Sequence, residues 1–445
     1  MRITLVRLEL ELLETGGITA PEHASAAAVD LPLATDPAGN PWYPPTSLAG
    51  AMRRLLGPSA DRLLGYEADD AGRASSIRVL ATHVQVPQHR RPTLRVRNAM
   101  DRERGAPRAT FLFSSEALPV GSTVDVQLRW DDASDSDLTA VLEALSSWRP
   151  VLGRGGTVGH GRCRVTRLGN RTLDLDDDSD LLDWLCTDGP DLFEAITLED
   201  QHDQGAADLL LDVRWRIADA LHIGTEEPEA DSGEGPRVSP MLRDGDDAVV
   251  PGSTWKGVLR ARCEYILRSI GVGACLPGTC GECPPCQLFG WGPPRRDNDA
   301  PAERGARGSV RFLECVIGGD PLHGLDSPHA QERQHVAIDR VTGGAHDGLL
   351  YTDEILTSGS LRLRVEHDPD RPRYPWARGL LLAAVADIAD GLVGIGAGTT
   401  RGQGTLQRVD TDGRRAPALT GAERDEVRQA LTLLRGDADP ARRPA

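Results

Sequence analysis

The chain has 445 residues, with 67 acidic against 50 basic side chains and a formal net charge of −17 at pH 7. That balance excludes a protein that coats nucleic acid by bulk charge, because counterion release needs clustered cations facing phosphates. Eight cysteines are too few to staple the chain with disulfides, and no apolar stretch nears the length that spans a bilayer; no opening apolar run follows a basic start, so a cytoplasmic chain of two domains is expected.

In chain order, the alternating RITLVRLELELLE reads as a half-buried strand. The helix start PPTSLAG (44–50) and the strand SSIRVLATHV (75–84) follow. Arg73, Arg78, Arg90, Arg91, Arg95, Arg97, Arg102, Arg104 and Arg108 then share a window with few acids, which makes it locally cationic in an acidic chain. The acidic runs DDASDSD (131–137), LDLDDDSD (173–180) and residues 225–247 read as solvated loops. DLTAVLEALSSW reads as a helix, and TDGPDLFEAITLEDQHDQGAA (187–207) has little sustained pattern and marks the junction.

DLLLDVRWRIADALHIG then opens a second half that repeats the first. VDLPLATDPAGNPWYPPTSLAGAMRRLL (29–56) runs parallel to VSPMLRDGDDAVVPGSTWKGVLRARC (238–263), and SSIRVLATHV to GSVRFLECVI (308–317). NAMDRERGAPRATFLFSSEAL (98–118) matches VAIDRVTGGAHDGLLYTDEIL (336–356), and GRGGTVGHGRCRV (153–165) matches GAGTTRGQGTLQRV (396–409). Four blocks in one order indicate a tandem duplication, with the second copy about thirty residues longer around its cysteines. Interleaved strands and helices predict an α+β fold, two tandem ferredoxin-like domains at 1–190 and 207–410. Residues 411–445 carry an amphipathic helix from Thr420 to Gly436 and a tail, DADPARRPA, expected to be disordered.

In PGSTWKG, Pro251 and Gly252 end an extended segment, Ser253 or Thr254 caps a helix, and the first turn's free N–H groups point outward at the positive end of the dipole. That is a phosphate seat, and Lys256, the only lysine of the chain, adds a mobile charge beside it. In PPTSLAG, Ser47 lies at the matching helix start, Ala49 stands where Lys256 stands, and Arg53 matches Arg260 one turn later. The loops GRGGTVGHGRC, with Arg154, His160 and Arg162, and GIGAGTTRGQG, with Arg401 and Gln403, each follow a helix and precede a strand. Glycine lets such a backbone approach a phosphate or sugar closely, and no Gly-Lys-Ser/Thr of a nucleotide P-loop is present. Cys275, Cys280, Cys283 and Cys286 form C-x4-C-x2-C-x2-C, the pattern of a closed structural Zn²⁺ site. An iron-sulfur cluster has similar spacing, and Cys263 is a possible substitute ligand. Cys163, Cys186 and Cys315 read as buried apolar residues.

The succession xPGSxxKG, CPxCQLFG, GSVRF, AIDRxTGGAxDGxLYxxE and GxGxxRGxG resembles the RAMP superfamily, specifically the repeating backbone subunits of type III CRISPR effectors in antiviral defence. The likeness runs over about residues 1–410; the first copy is degenerate in PPTSLAG and lacks the cysteines. Two such domains in one chain resemble the fused double-backbone subunits of subtype III-D. The resemblance implies a crRNA held along both domains, and thumb hairpins at 95–117 and 333–356 that enter the guide–target duplex. Arg95, Arg97, Arg102, Arg104 and Arg108 would meet phosphate and Met100 would wedge between bases, with Arg333, Arg340 and Ile338 on the second thumb. It also implies an aspartate before the PGSxxKG helix that cuts target RNA with Mg²⁺ or Mn²⁺. That residue is Asp30, with His23 nearby; Val238 occupies the matching place, so the second copy is expected to be inactive. Partners implied are target RNA, other backbone RAMP subunits, a large polymerase-type subunit and a small subunit. The alternatives are a scaffold without catalysis, and a guide-processing endoribonuclease using His160, whose counterpart is Gln403.

Overall fold

The computed structural model describes residues 1–20, 29–68, 71–101, 106–202, 208–225, 237–276, 279–292, 305–318 and 328–437. They cluster into two compact units. Met1–Arg95, Phe113–Gly156 and His160–Ala206 make the first; Val96–Leu112, Thr157–Gly159 and Ala207–Ala445 make the second.

The first half runs β1 (Arg2–Leu12), α1 (Pro45–Leu56), α2 (Ala60–Leu64), β2 (Ile77–Gln85), β3 (Thr93–Asp101), β4 (Ala106–Ala117), β5 (Thr123–Asp131), α3 (Asp135–Ser146), β6 (Cys163–Asp174), α4 (Asp178–Cys186), α5 (Gly189–Glu194) and β7 (Glu199–Asp200). Its sheet has the order β2-β5-β1-β6-β7, antiparallel throughout. The alternation in β1 changes phase once. Val6, Leu8, Leu10 and Leu12 join the core under α1 and α3, with Leu48, Met52, Val141 and Leu145. Ile3 and Leu5 point to the other face, where Leu192, Phe193 and Ile196 cover them. Residues 187–200 are therefore not a bare junction: they fold as α5 and β7, because the second apolar face of β1 requires a lid. The acidic runs are not simply solvated loops either. Ser134 Oγ accepts from Asp137 N at the start of α3, and Asp177 accepts from Ser179 and Asp180 N at the start of α4, so the acids sit where a helix dipole favours them.

The second half runs β8 (Leu209–Ile217), β9 (Arg237–Ser239), β10 (Arg243–Asp244), β11 (Asp247–Val250), α6 (Gly252–Ser269), α7 (Pro284–Phe289), β12 (Gly290–Trp291), β13 (Ala306–Arg307), β14 (Val310–Phe312), β15 (Cys315–Val316), β16 (Ala330–Ile338), β17 (Ala345–Leu356), β18 (Ser360–His367), α8 (Ala377–Ala389), β19 (Leu406–Val409) and α9 (Gly421–Asp437). The main sheet, β14-β18-β8-β19, is antiparallel and repeats the order β2-β5-β1-β6 of the first. Its helix α8 is apolar nearly all round and is buried, because α9 covers the side that the sheet does not. A Cβ on Gly379 of α8 would meet Ala430 Cβ at 2.5 Å, so glycine there permits that close packing. Among the described residues, no helix is long and apolar enough to cross a membrane. The tail DADPARRPA begins at the end of α9 and, from residue 438 on, lies outside the described residues, as does His23.

Candidate nucleic-acid interface and metal centre

The two glycine loops have the same conformation residue by residue. Gly153, Gly155, Gly159 and Gly161 have φ of 86°, 82°, 91° and 70°; Gly396, Gly398, Gly402 and Gly404 have 81°, 69°, 76° and 83°. Leu152 N donates to Gly161 O in one loop and Ile395 N to Gly404 O in the other, at 2.8 and 3.0 Å. A Cβ on Gly161 would lie 1.9 Å from Leu152 O, and one on Gly404 2.2 Å from Ile395 O, so both positions demand glycine. His160 and Gln403 face inward, 5% and 2% exposed. The His160 ring shares its Nδ1 with Thr15 O at 2.9 Å and Thr15 Oγ1 at 3.0 Å, an arrangement that shapes the loop from beneath. Arg154 is exposed, Arg162 pairs with Glu14 at 3.4 Å, and Arg401 donates to the Tyr351 hydroxyl at 2.7 Å.

The loop before α1 lies against the base of β4. Leu31 N donates to Ser114 O, and Glu116 N to Leu31 O. This seats Asp30, which is exposed: its Oδ2 accepts from Ser114 N at 2.8 Å and Ser114 Oγ at 3.0 Å. The backbone N–H of Ser114, and next its hydroxyl, hold the carboxyl below the usual carboxylate range. An anion so stabilised is a poor proton acceptor. In the second half β9 lies parallel to β17, with Val238 opposite Thr352, so an exposed apolar side chain stands where Asp30 stands. Glu116 Oε2 accepts from Leu33 N at 2.9 Å, and Glu354 Oε2 from Met241 N at 2.8 Å, which fixes the register of both loops in the same way.

Helix α6 begins at Gly252 with Pro251 at its cap and no side-chain cap bond, so Ser253 and Thr254 are in the first turn and do not cap it. The glycine is needed because a Cβ there would lie 2.0 Å from Phe312 O and 2.4 Å from Val158 O. Lys256 Nζ donates to Thr157 Oγ1 at 2.9 Å. Burial, and then the neighbouring Arg260, push its ammonium down to about 8. Arg260 is pinned by Glu264 at 2.9 Å and by Gly290 O at 2.9 Å; Arg53 likewise reaches Asp61, Leu64 O and Gly65 O. Ser47, half-buried, donates its backbone N–H to Pro44 O at 2.9 Å.

Both expected thumbs are hairpins, β3–β4 and β16–β17. On the first, Arg95 is buried and Arg97 half-buried; Arg102 and Arg104, and the side chains of Met100 and Arg108, lie outside the described residues. On the second, Arg333 and Arg340 are exposed, and so is an apolar stripe of Val336, Ile338, Val341 and Leu350. His335 stacks on Tyr351 at 5.1 Å, which stiffens the middle of that hairpin.

The four cysteine sulfurs lie within 4.8 Å of one another, with separations of 3.5 Å (Cys275–Cys286), 3.9 Å (Cys280–Cys286) and 3.6 Å (Cys283–Cys275). A tetrahedral ion with bonds of about 2.3 Å to sulfur sets its ligands about 3.8 Å apart. The cage thus fits a single metal ion and leaves no room for a cluster of several iron and sulfide atoms. Cys263 is not a substitute ligand: it is fully buried, with its thiol against Leu380 O at 3.7 Å, as α6 packs on α8. Cys163 and Cys315 are buried as expected, whereas Cys186 is exposed at the end of α4.

The family model described as RAMPs, the RAMP superfamily, matches residues 15–164 and 217–407. The chain belongs to the RAMP superfamily. The two matched stretches coincide with the two repeats. No curated protein matches the chain. A chain from the apo-state cryo-EM structure of type III-B Cmr-beta is similar at 12% identity and a TM-score of 0.31, covering 36% of this RAMP chain and 96% of its own. Sequence reasoning missed Ser114, Thr157 and the Glu116 and Glu354 latches. Only the latches carried a signal, since both glutamates occupy one column of the repeat alignment.

Proposed function

We propose that this RAMP protein is a crRNA-binding backbone subunit of a type III CRISPR effector, with two ferredoxin-like domains in tandem, and that its first domain cuts target RNA. The strand order shared by the two sheets supports the domain assignment. The observation that carries the cutting reading is Asp30: an exposed, ionised carboxylate held by Ser114 at the base of the β3–β4 hairpin, opposite a valine in the other repeat. Asp30 would hold Mg²⁺ or Mn²⁺, which would supply charge stabilisation at an adjacent phosphate for in-line attack by the 2′-hydroxyl, closing a 2′,3′-cyclic phosphate as the 5′-oxygen leaves. The same reading makes the thiolate cage a structural Zn²⁺ site, the glycine loops the cradle for the guide, and target RNA, further backbone subunits, a large polymerase-type subunit and a small subunit the partners. A fused double-backbone arrangement like that of subtype III-D fits the duplicated chain.

A scaffold role without cutting is favoured by one detail: both Ser114 donors already occupy Asp30 Oδ2. The inward position of His160 speaks against guide processing by that residue. In an effector reconstituted with guide, target and Mg²⁺, Asp30→Ala lowers cutting at this subunit's site by about a hundredfold or more while guide binding is kept. Undiminished cutting by the variant leaves the scaffold reading standing.

A further inference from the structure

A cleft of about 510 Å³ in the second unit is lined by Thr157, Lys256, Arg260, Phe289, Trp291 and Arg307, interspersed with glycines. Three of these side chains are cationic and two aromatic, and no carboxylate lines the cleft among the described residues. Cations beside exposed glycine backbone suit a ribose-phosphate, and an aromatic face suits one unstacked base.

One wall of this cleft, Phe289–Gly292 with Gly305–Gly308, continues directly from the peptide that carries the thiolate cage. Helix α7 starts directly after Cys283, carries Cys286 and ends with Phe289. The next residues form β12, paired with β13 so that Gly290 faces Arg307 and Trp291 faces Ala306. The Trp291 ring lies on the ligand loop itself, since a Cβ on Gly281 would come within 2.9 Å of it. Gly290 O accepts from Arg260 at 2.9 Å, tying the wall to α6. Phe289, Trp291 and Arg307 thus depend for their places on a peptide that four sulfurs gather. Four thiolates repel one another unless a cation joins them.

We infer that the metal-loaded cage forms the wall against which one nucleotide of a single-stranded RNA packs, base on Trp291 and phosphate between Lys256 and Arg307, so that metal occupancy and strand binding are thermodynamically linked. The inference rests on the reading that this chain binds RNA. Linkage is reciprocal: the strand strengthens metal binding by the factor by which metal strengthens strand binding.

The test uses the full chain loaded with zinc and a labelled single-stranded oligoribonucleotide of mixed sequence. Zinc affinity is measured by competition against a colorimetric chelator, with and without saturating oligonucleotide. The expected result is zinc binding about tenfold tighter with the strand present, and strand binding weakened by a similar factor after zinc is stripped. Trp291→Ala should keep one equivalent of zinc and lose the linkage to below about twofold; because this comparison is made on the loaded chain, it decides the matter even if stripping unfolds the unit. Zinc affinity unchanged by bound strand, or linkage intact in Trp291→Ala, overturns the inference alone. A loaded chain that binds no oligonucleotide overturns the RNA reading, and the inference with it.

Discussion

Lys256 spends its single charge against burial. Its ammonium titrates at about 8 in the folded chain against 10.5 for an ordinary lysine. Below about 8 both states are protonated and folding bears the full desolvation; between these values the folded chain releases its proton first, so stability rises with pH across that window. A bound phosphate reverses the preference by holding the proton on. Strand affinity at this site should therefore fall as pH rises from 7 to 9, by up to about tenfold per unit above the lysine's value, measured by fluorescence anisotropy at fixed salt. Lys256→Met should leave the melting temperature unchanged or higher, since it removes a half-buried charge, and abolish that pH dependence. Asp30 behaves in the opposite sense. Held low by the Ser114 backbone and hydroxyl, it is already ionised at neutral pH, so the pH–rate profile of cutting should show no limb from it between about pH 5 and pH 9.

The helix starts and glycine loops work as elements. Gly50 in α1 and Gly257 in α6 occupy the same place in the two repeats, are exposed, and have open space where a Cβ would go. Glycine inside a helix is less stable than alanine by about 0.8–1.0 kcal/mol. Gly257→Ala should raise thermal stability accordingly, and weaken guide binding if the strand backbone lies on that turn; calorimetry and a filter-binding titration read the two effects. Gly404→Ala has no such freedom. With φ of 83° and a carbonyl at 2.2 Å from the new Cβ, it should lose more than about 2 kcal/mol in a denaturant titration. The strong elements were legible beforehand: β1 from its alternation, α8 as the helix that precedes the second glycine loop, and α9 from its amphipathic pattern, found at Gly421–Asp437 where Thr420–Gly436 was expected. Helix α5 and strand β7 were not, because their apolar residues are few and gain a meaning only under Ile3 and Leu5.

For the molecule as a whole, the duplication is the governing fact, and the four-cysteine cage is its asymmetric addition. Purified chain should carry one equivalent of zinc by elemental analysis; Cys280→Ser should reduce it to background and lower the unfolding midpoint, because ion binding to the gathered thiolates is folding free energy. The sequence by itself determined the repeat, the kind of most elements, the glycine positions and the grouping of four cysteines. All of these are written in order and spacing between near neighbours, or in likeness between two copies, and both survive without coordinates. Tertiary structure alone decided that Asp30 meets Ser114, 84 positions away, that Lys256 meets Thr157, 99 positions away, and that His160 turns inward. Those outcomes depend on where the chain returns after crossing its sheets, and no local pattern encodes the path of a return that long-range packing selects.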